Sequence, residues 1–196
     1  MDIHLEQPEP EVYVSTDIEA DGPVPGLYSM LSFASVAFTE DQQQVGTFQA
    51  NLETLPEAAQ HPETMEWWKE FPEAWAAHRR NLEAPKAAMK RYEQWLKGLP
   101  GAPVFVAYPA CVDFMFVYWY LHRFTGGSPF GFVALDIKTL AMAALDRPFH
   151  WIRKKNMPEH WFPEGLTHTH LAIDDATVQG EMFFRIMAEL RGNPAL

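Results

Sequence analysis

Three extended, apolar runs within the first 52 residues restrict the folds open to this chain more than any other feature of it. VYVSTDIE, from Val12 to Glu19, alternates β-branched and polar residues, and YSMLSFASVAF, from Tyr28 to Phe38, alternates small and apolar ones. Between them lies DGPVPG, a dense cluster of turn formers, so Glu11 to Thr39 reads as a hairpin. VGTFQANL, from Val45 to Leu52, returns after the polar EDQQQ as a third antiparallel strand.

From Pro62 the period becomes helical. Pro62, Pro72 and Pro85 each stand where a first helical turn begins, and Gly98 stands where the last should stop, which predicts two short helices and a longer one reaching Lys97. PVFVAY, from Pro103 to Tyr108, reads as a buried strand, and VDFMFVYWYLHRF as a buried helix running to a Gly-Gly stop. Leu135 to Leu145 reads as a strand end passing into a helix, and Leu171 to Arg191 as an amphipathic helix closed by Gly192. The order β-β-β-α-β-α-(β)α-α implies an α/β fold whose mixed sheet has three antiparallel strands followed by parallel ones, flanked by helices. At 196 residues this is one domain, residues 1–196 with a core of about 11–191. Asp146 to Gly165 is a long irregular loop of the kind that often carries function.

Charge is distributed unevenly. The net charge is −11, and the first 68 residues hold 13 of the 26 acids and none of the 15 Lys and Arg. Such a chain is unsuited to tight, sequence-independent binding of long duplex nucleic acid, which depends on basic residues displacing counterions. One cysteine, Cys111, excludes an intrachain disulfide and a zinc site built on several thiolates, and fits a reducing, cytoplasmic setting. MDIHLEQPEPE lacks the basic and apolar regions of a signal peptide, and the apolar stretch around VDFMFVYWYL is about half the length of a spanning helix, so neither export by that route nor a membrane location is expected.

Asp17 and Glu19, two apart on a strand, project from the same face. They read either as solvent-facing acids or, in an apolar strand followed by Asp21 with no basic residue nearby, as oxygen ligands of a divalent cation. Asp113, ahead of FMFVYWYL, suits a helix N-cap or first-turn acid, as do Asp174 and Asp175 at the start of the last helix. His170 precedes Asp175 by five positions and converges with it only from a loop before the helix; GLTHTHLAIDDA allows that, with His168 as a competitor.

In order and spacing, STDIEADG, the acid of VDF and HLAIDDA resemble the three motifs of the DnaQ-like, DEDDh 3′-5′ exonuclease superfamily, across about residues 11–190. The resemblance implies an RNase H-like fold and a single-strand 3′-5′ exonuclease releasing nucleoside 5′-monophosphates. It implies two Mg²⁺ or Mn²⁺ ions about 3.5–4 Å apart, with Asp17 bridging both, Glu19 and Asp175 as further ligands and Asp113 on the second ion. His170 is then the general base, which requires its neutral form. Exonucleolytic polarity is implied by the family; the residues themselves specify phosphodiester hydrolysis. AYPACVDF lacks polar residues that many relatives carry before the acid, and Cys111 there reads as a buried small apolar residue rather than a nucleophile.

PETMEWWKE followed by PEAW resembles the Trp-Trp segment of the RNase T-like branch, which includes exoribonucleases, and tilts the expectation towards RNA. Trp67 and Trp68 lie about 100° apart on a helix, so either one stacks on a base or both wedge between helices. RPFHWIRKKN, from Arg147 to Asn156, is either a solvated loop or a substrate contact using Arg153, Lys154 and Lys155. The partners expected are 3′ ends of single-stranded RNA or DNA, short oligonucleotides included. Rival readings are a proofreading or repair DNA exonuclease and a non-catalytic nucleic-acid-binding protein that keeps the fold. Seven tryptophans suit a homodimer interface as well as a core.

Overall fold

The alternating runs pair as their pattern requires. In a computed structural model describing residues 9–163 and 171–192, β1 (Glu11–Ala20) and β2 (Met30–Thr39) form the hairpin, and β3 (Gln44–Asn51) continues it antiparallel. β4 (Ala102–Ala107) joins the other side of β1 in parallel and the short β5 (Leu135–Asp136) extends it, giving the order β3-β2-β1-β4-β5 with β1 in the middle.

Helices α1 (Pro62–Trp68), α2 (Pro72–His78) and α3 (Pro85–Lys97) each carry proline in the first turn, where its missing N–H is no loss. α4 (Ala110–Thr125) stops at Gly126, whose φ of +90° a residue with a Cβ would resist. α5 (Ile137–Leu145) is capped by Asp136: its Oδ2 accepts from Thr139 N at 3.0 Å while its Oδ1 accepts from Ala110 N at 3.0 Å, so one carboxylate ties the starts of α5 and α4. α6 (Ala172–Leu190) closes the chain described.

Each face of β1 buries a different layer. Val12, Val14 and Ile18 pack with Met89, Tyr92 and Leu96 of α3 and Phe116, Val117 and Tyr120 of α4. Fully burying a side chain of this size contributes about 1.5–3 kcal/mol. The opposite face receives α6: Tyr13 meets the rings of Phe183 and Phe184, and Ser15 Oγ donates to Ala176 O at 2.7 Å. That approach requires a glycine on the helix, because a Cβ at Gly180 would lie 2.4 Å from Phe38 Cε2.

From Asp146 as far as residue 163 the chain is the loop expected, punctuated by 3₁₀ turns at Lys154–Asn156 and Glu159–Trp161. Ile152, Met157 and Trp161 bury into the α5–α6 layer and anchor it. Cys111 is exposed rather than buried: the inward face of α4 is Ala110, Asp113, Phe116, Val117 and Tyr120, and Cys111 falls on the outward side with Val112 and Met115. Among the described residues no helix is long and apolar enough to cross a membrane.

Candidate active site

Asp17 and Glu19 leave the same face of β1 near its C-terminal end, as the two-residue period dictates. Pairing with β4 ends at Ser15 opposite Val106, after which the chain turns into α4. The edge of β1 beyond Ser15 is thereby left open, and Asp113, in the first turn of α4, fills it: its Oδ1 accepts from Ile18 N at 3.1 Å. Asp113 is thus a first-turn acid, as one sequence reading had it, and also a partner for the open strand.

Asp175, in the first turn of α6, completes the group. Asp17, Glu19 and Asp175 each offer a carboxylate oxygen, and these oxygens lie within 4.8 Å of one another. Asp174, its neighbour, does not join them. Asp21 does not either: it is buried in the turn after β1, where its Oδ1 accepts from Ser29 N at 2.5 Å.

Crowding anions in a desolvated site favours their protonated forms. Burial, then the charges of Asp113, Glu19 and Asp175, hold the Asp17 carboxyl well above the usual carboxylate range. Burial, then Asp175 and Asp113, push Glu19 up to about 8. Burial raises Asp113 to about 7 against the opposing pull of the Ile18 N–H and its own backbone N–H. Lys154 is the cation whose field reaches both Asp17 and Asp113, and its Nζ sits 5.7 Å from the centre of the Tyr108 ring. One lysine cannot balance four carboxylates. The donor set is oxygen alone, which fits a hard divalent cation such as Mg²⁺ or Mn²⁺.

The remaining sequence candidates separate. His170 and His168 lie outside the described residues, though α6 begins at Ala172, two positions after His170. Trp68 is 2% exposed, packs against Trp75 and His78, and donates from Nε1 to Ala20 O at 3.1 Å; it supports the end of β1 and has no open face for a base. Trp67 is 37% exposed. Arg153 and Lys155 are exposed while Lys154 turns inward.

Gln179 was missed in the sequence. It is fully buried on α6, where its Nε2 donates to Asp17 Oδ1 at 2.7 Å and its Oε1 accepts from Tyr108 N at 2.7 Å. The available signal was its position, four residues after Asp175 and so on the same helical face, as an amide among Ala176, Gly180 and Phe183.

Over 177 residues the chain is 33% identical to the 3′-5′ DNA exonuclease Cap18 of Escherichia coli, a match covering 88% of this chain and 90% of that protein. No family model matches. Among solved structures it superposes on the rAMP-bound nuclease domain of 3′hExo, a DEDDh family member, with a TM-score of 0.63 and 10% identity over 95% of this chain and 94% of that one. A 3′-exonuclease recognising the 3′ end of the histone mRNA stem-loop gives a TM-score of 0.67 at 12% identity, over 94% of this chain and 65% of that one. Exonuclease I of E. coli with a dA16 oligonucleotide gives 0.62 at 14% identity, over 89% of this chain and 41% of that one. These structural likenesses are of fold, the RNase H-like arrangement expected from the motifs.

Proposed function

Since this chain belongs to the DnaQ-like, DEDDh family of 3′-5′ exonucleases, we propose that it shortens single-stranded DNA from the 3′ end, releasing nucleoside 5′-monophosphates. Asp17, Glu19, Asp113 and Asp175 would hold its two divalent cations. The observation that carries this reading is the convergence of four carboxylates from β1, α4 and α6 in a site where burial and mutual repulsion oppose their charges. A non-catalytic binding protein has no need of such a cluster.

When bound, the two cations would supply Lewis acidity and make the attacking water more acidic. The protein's own groups do the rest. His170 takes the proton of the attacking water, for which its ordinary pKa near 6.5 is suited. Lys154, whose charge reaches Asp17 and Asp113, would meet a non-bridging oxygen of the scissile phosphate. Arg153 and Lys155 lie on the same segment and contact phosphates further along the strand. Trp67 provides the stacking surface, worth about 1–3 kcal/mol per base.

DNA leads as substrate because the 33%-identical relative is a DNA exonuclease. RNA is the second reading, supported by the half-exposed Trp67 of the Trp-Trp segment. The test is a time course on matched 5′-labelled single-stranded DNA and RNA with Mg²⁺ or Mn²⁺, alongside Asp17→Asn, an EDTA control and a circular single strand. A ladder shortening from the 3′ end on linear DNA, absent in both controls and on the circle, is expected. Cleavage of the circle overturns exonucleolytic action, faster RNA turnover exchanges the two substrates, and no turnover of either by folded, metal-supplied protein overturns the enzyme reading.

A further inference from the structure

We infer that Gln179 is the positioning residue of this site, fixing the orientation in which Asp17 presents its carboxylate to a bound cation. This deepens the reading above and rests on it.

Chemistry settles which way the Gln179 amide points. The backbone N–H of Tyr108 can only donate, so the amide oxygen must face it, and the amide NH₂ is thereby turned onto Asp17 Oδ1. A lone glutamine beside a carboxylate could rotate its amide; this one is keyed by a backbone donor. Asp17 Oδ1 therefore receives a hydrogen bond from a fixed direction, which selects one orientation of a carboxylate that offers an oxygen within 4.8 Å of those of Glu19 and Asp175.

The platform behind the amide is rigid. Gln179 is fully buried and sits on the turn of α6 held to β1 by the Ser15–Ala176 bond at 2.7 Å, next to Gly180, where a Cβ would meet Phe38 and Ser15. The one side chain thus joins α6, the strand bearing Asp17 and the backbone just past β4, which are the elements whose relative placement defines the site. Partners of this kind behind a metal ligand commonly change metal affinity or activity by about 10- to 100-fold when removed.

The test compares Gln179→Met, similar in volume but with neither donor nor acceptor, with Ser15→Ala, which removes a tie between the same helix and strand without touching Asp17. Mn²⁺ affinity of the full chain is read by calorimetry without substrate, and thermal stability is read in EDTA. The expected result is about tenfold weaker Mn²⁺ binding for Gln179→Met and wild-type Mn²⁺ affinity for Ser15→Ala, even where both lower the melting temperature. Gln179→Glu, which keeps an acceptor for Tyr108 N–H but loses the donor to Asp17, should have a reduced kcat at saturating Mn²⁺ with KM close to wild type. Wild-type Mn²⁺ affinity in Gln179→Met, a parallel loss in Ser15→Ala, or full kcat in Gln179→Glu would overturn the inference and leave the nuclease reading intact. Mn²⁺ binding by a wild type that cleaves nothing would overturn the nuclease reading, while the affinity ratio of the variants still decides the role of Gln179.

Discussion

Glu19→Gln, measured without metal, tests the electrostatics of the site most directly. Burial and the charges of Asp175 and Asp113 raise the Glu19 carboxyl from an ordinary value near 4.5 to about 8. The folded protein therefore keeps a proton on Glu19 that the unfolded chain has already released between those two values. Stability falls wherever the folded state binds more protons as pH rises, so this group's contribution is complete below about pH 4.5 and lost by about pH 8. At about 1.4 kcal/mol per pH unit, the gap sets an upper bound of about 5 kcal/mol. Local relaxation and water entry, which give such sites a high effective dielectric, bring the expected loss to about 2 kcal/mol. Glutamine has no proton to lose. Urea unfolding in EDTA, followed by tryptophan fluorescence, should find wild type and variant about equally stable at pH 5 and the variant more stable by about 2 kcal/mol at pH 8.5. Saturating Mg²⁺ at the higher pH should restore the wild type far more than the variant, which should be inactive. A difference that stays the same at both pH values, or a variant less stable at pH 8.5, would refute the reasoning.

The other predictions probe packing and substrate contact. Gly180→Ala places a Cβ 2.4 Å from Phe38 Cε2, and should destabilise by about 1–3 kcal/mol in denaturant unfolding; an unchanged midpoint would mean that α6 is not seated on the sheet as described. Trp68→Ala should cost about 3–5 kcal/mol of stability, whereas Trp67→Ala should leave the melting temperature nearly unchanged and raise KM for single-stranded oligomers; the reverse pattern would exchange their roles. The rate in Mg²⁺ should fall as pH drops below neutrality, as for a reaction that needs a neutral imidazole at His170, and a profile flat from about 5 to 8 would remove it as the base. Replacing Arg153, Lys154 and Lys155 together by alanine should raise KM and flatten its dependence on salt; unchanged salt dependence would take that segment out of substrate binding.

Much of the fold was legible because its signals are local. Alternation marked β1 to β3, prolines marked the starts of α1 to α3, and glycines marked where α3 and α4 stop, each within a few residues of chain. The four acids were legible for a related reason: an Asp-x-Glu on a strand and acids in first helical turns are readable positions, and their order matched a known set of motifs. Cys111 was misread, and the anchoring of the loop after Asp146 was not legible, because burial there depends on which helical face meets the sheet and on where three apolar side chains find a core, neither of which a short window contains.

What the sequence by itself determined was the set of elements and the chemical type of the candidate site, a set of carboxylate oxygens. Tertiary structure alone decided how those carboxylates are held. Asp113 meets Ile18 across 95 residues of chain and Gln179 meets Asp17 across 162, pairings set by which strand edge stays open and how closely a helix can approach. The same packing turned Lys154 inward and buried Trp68 while leaving Trp67 half exposed. Periodicity and capping are properties of neighbours along the chain, whereas the partner of a buried polar group is fixed only when the layers close and every donor must find an acceptor.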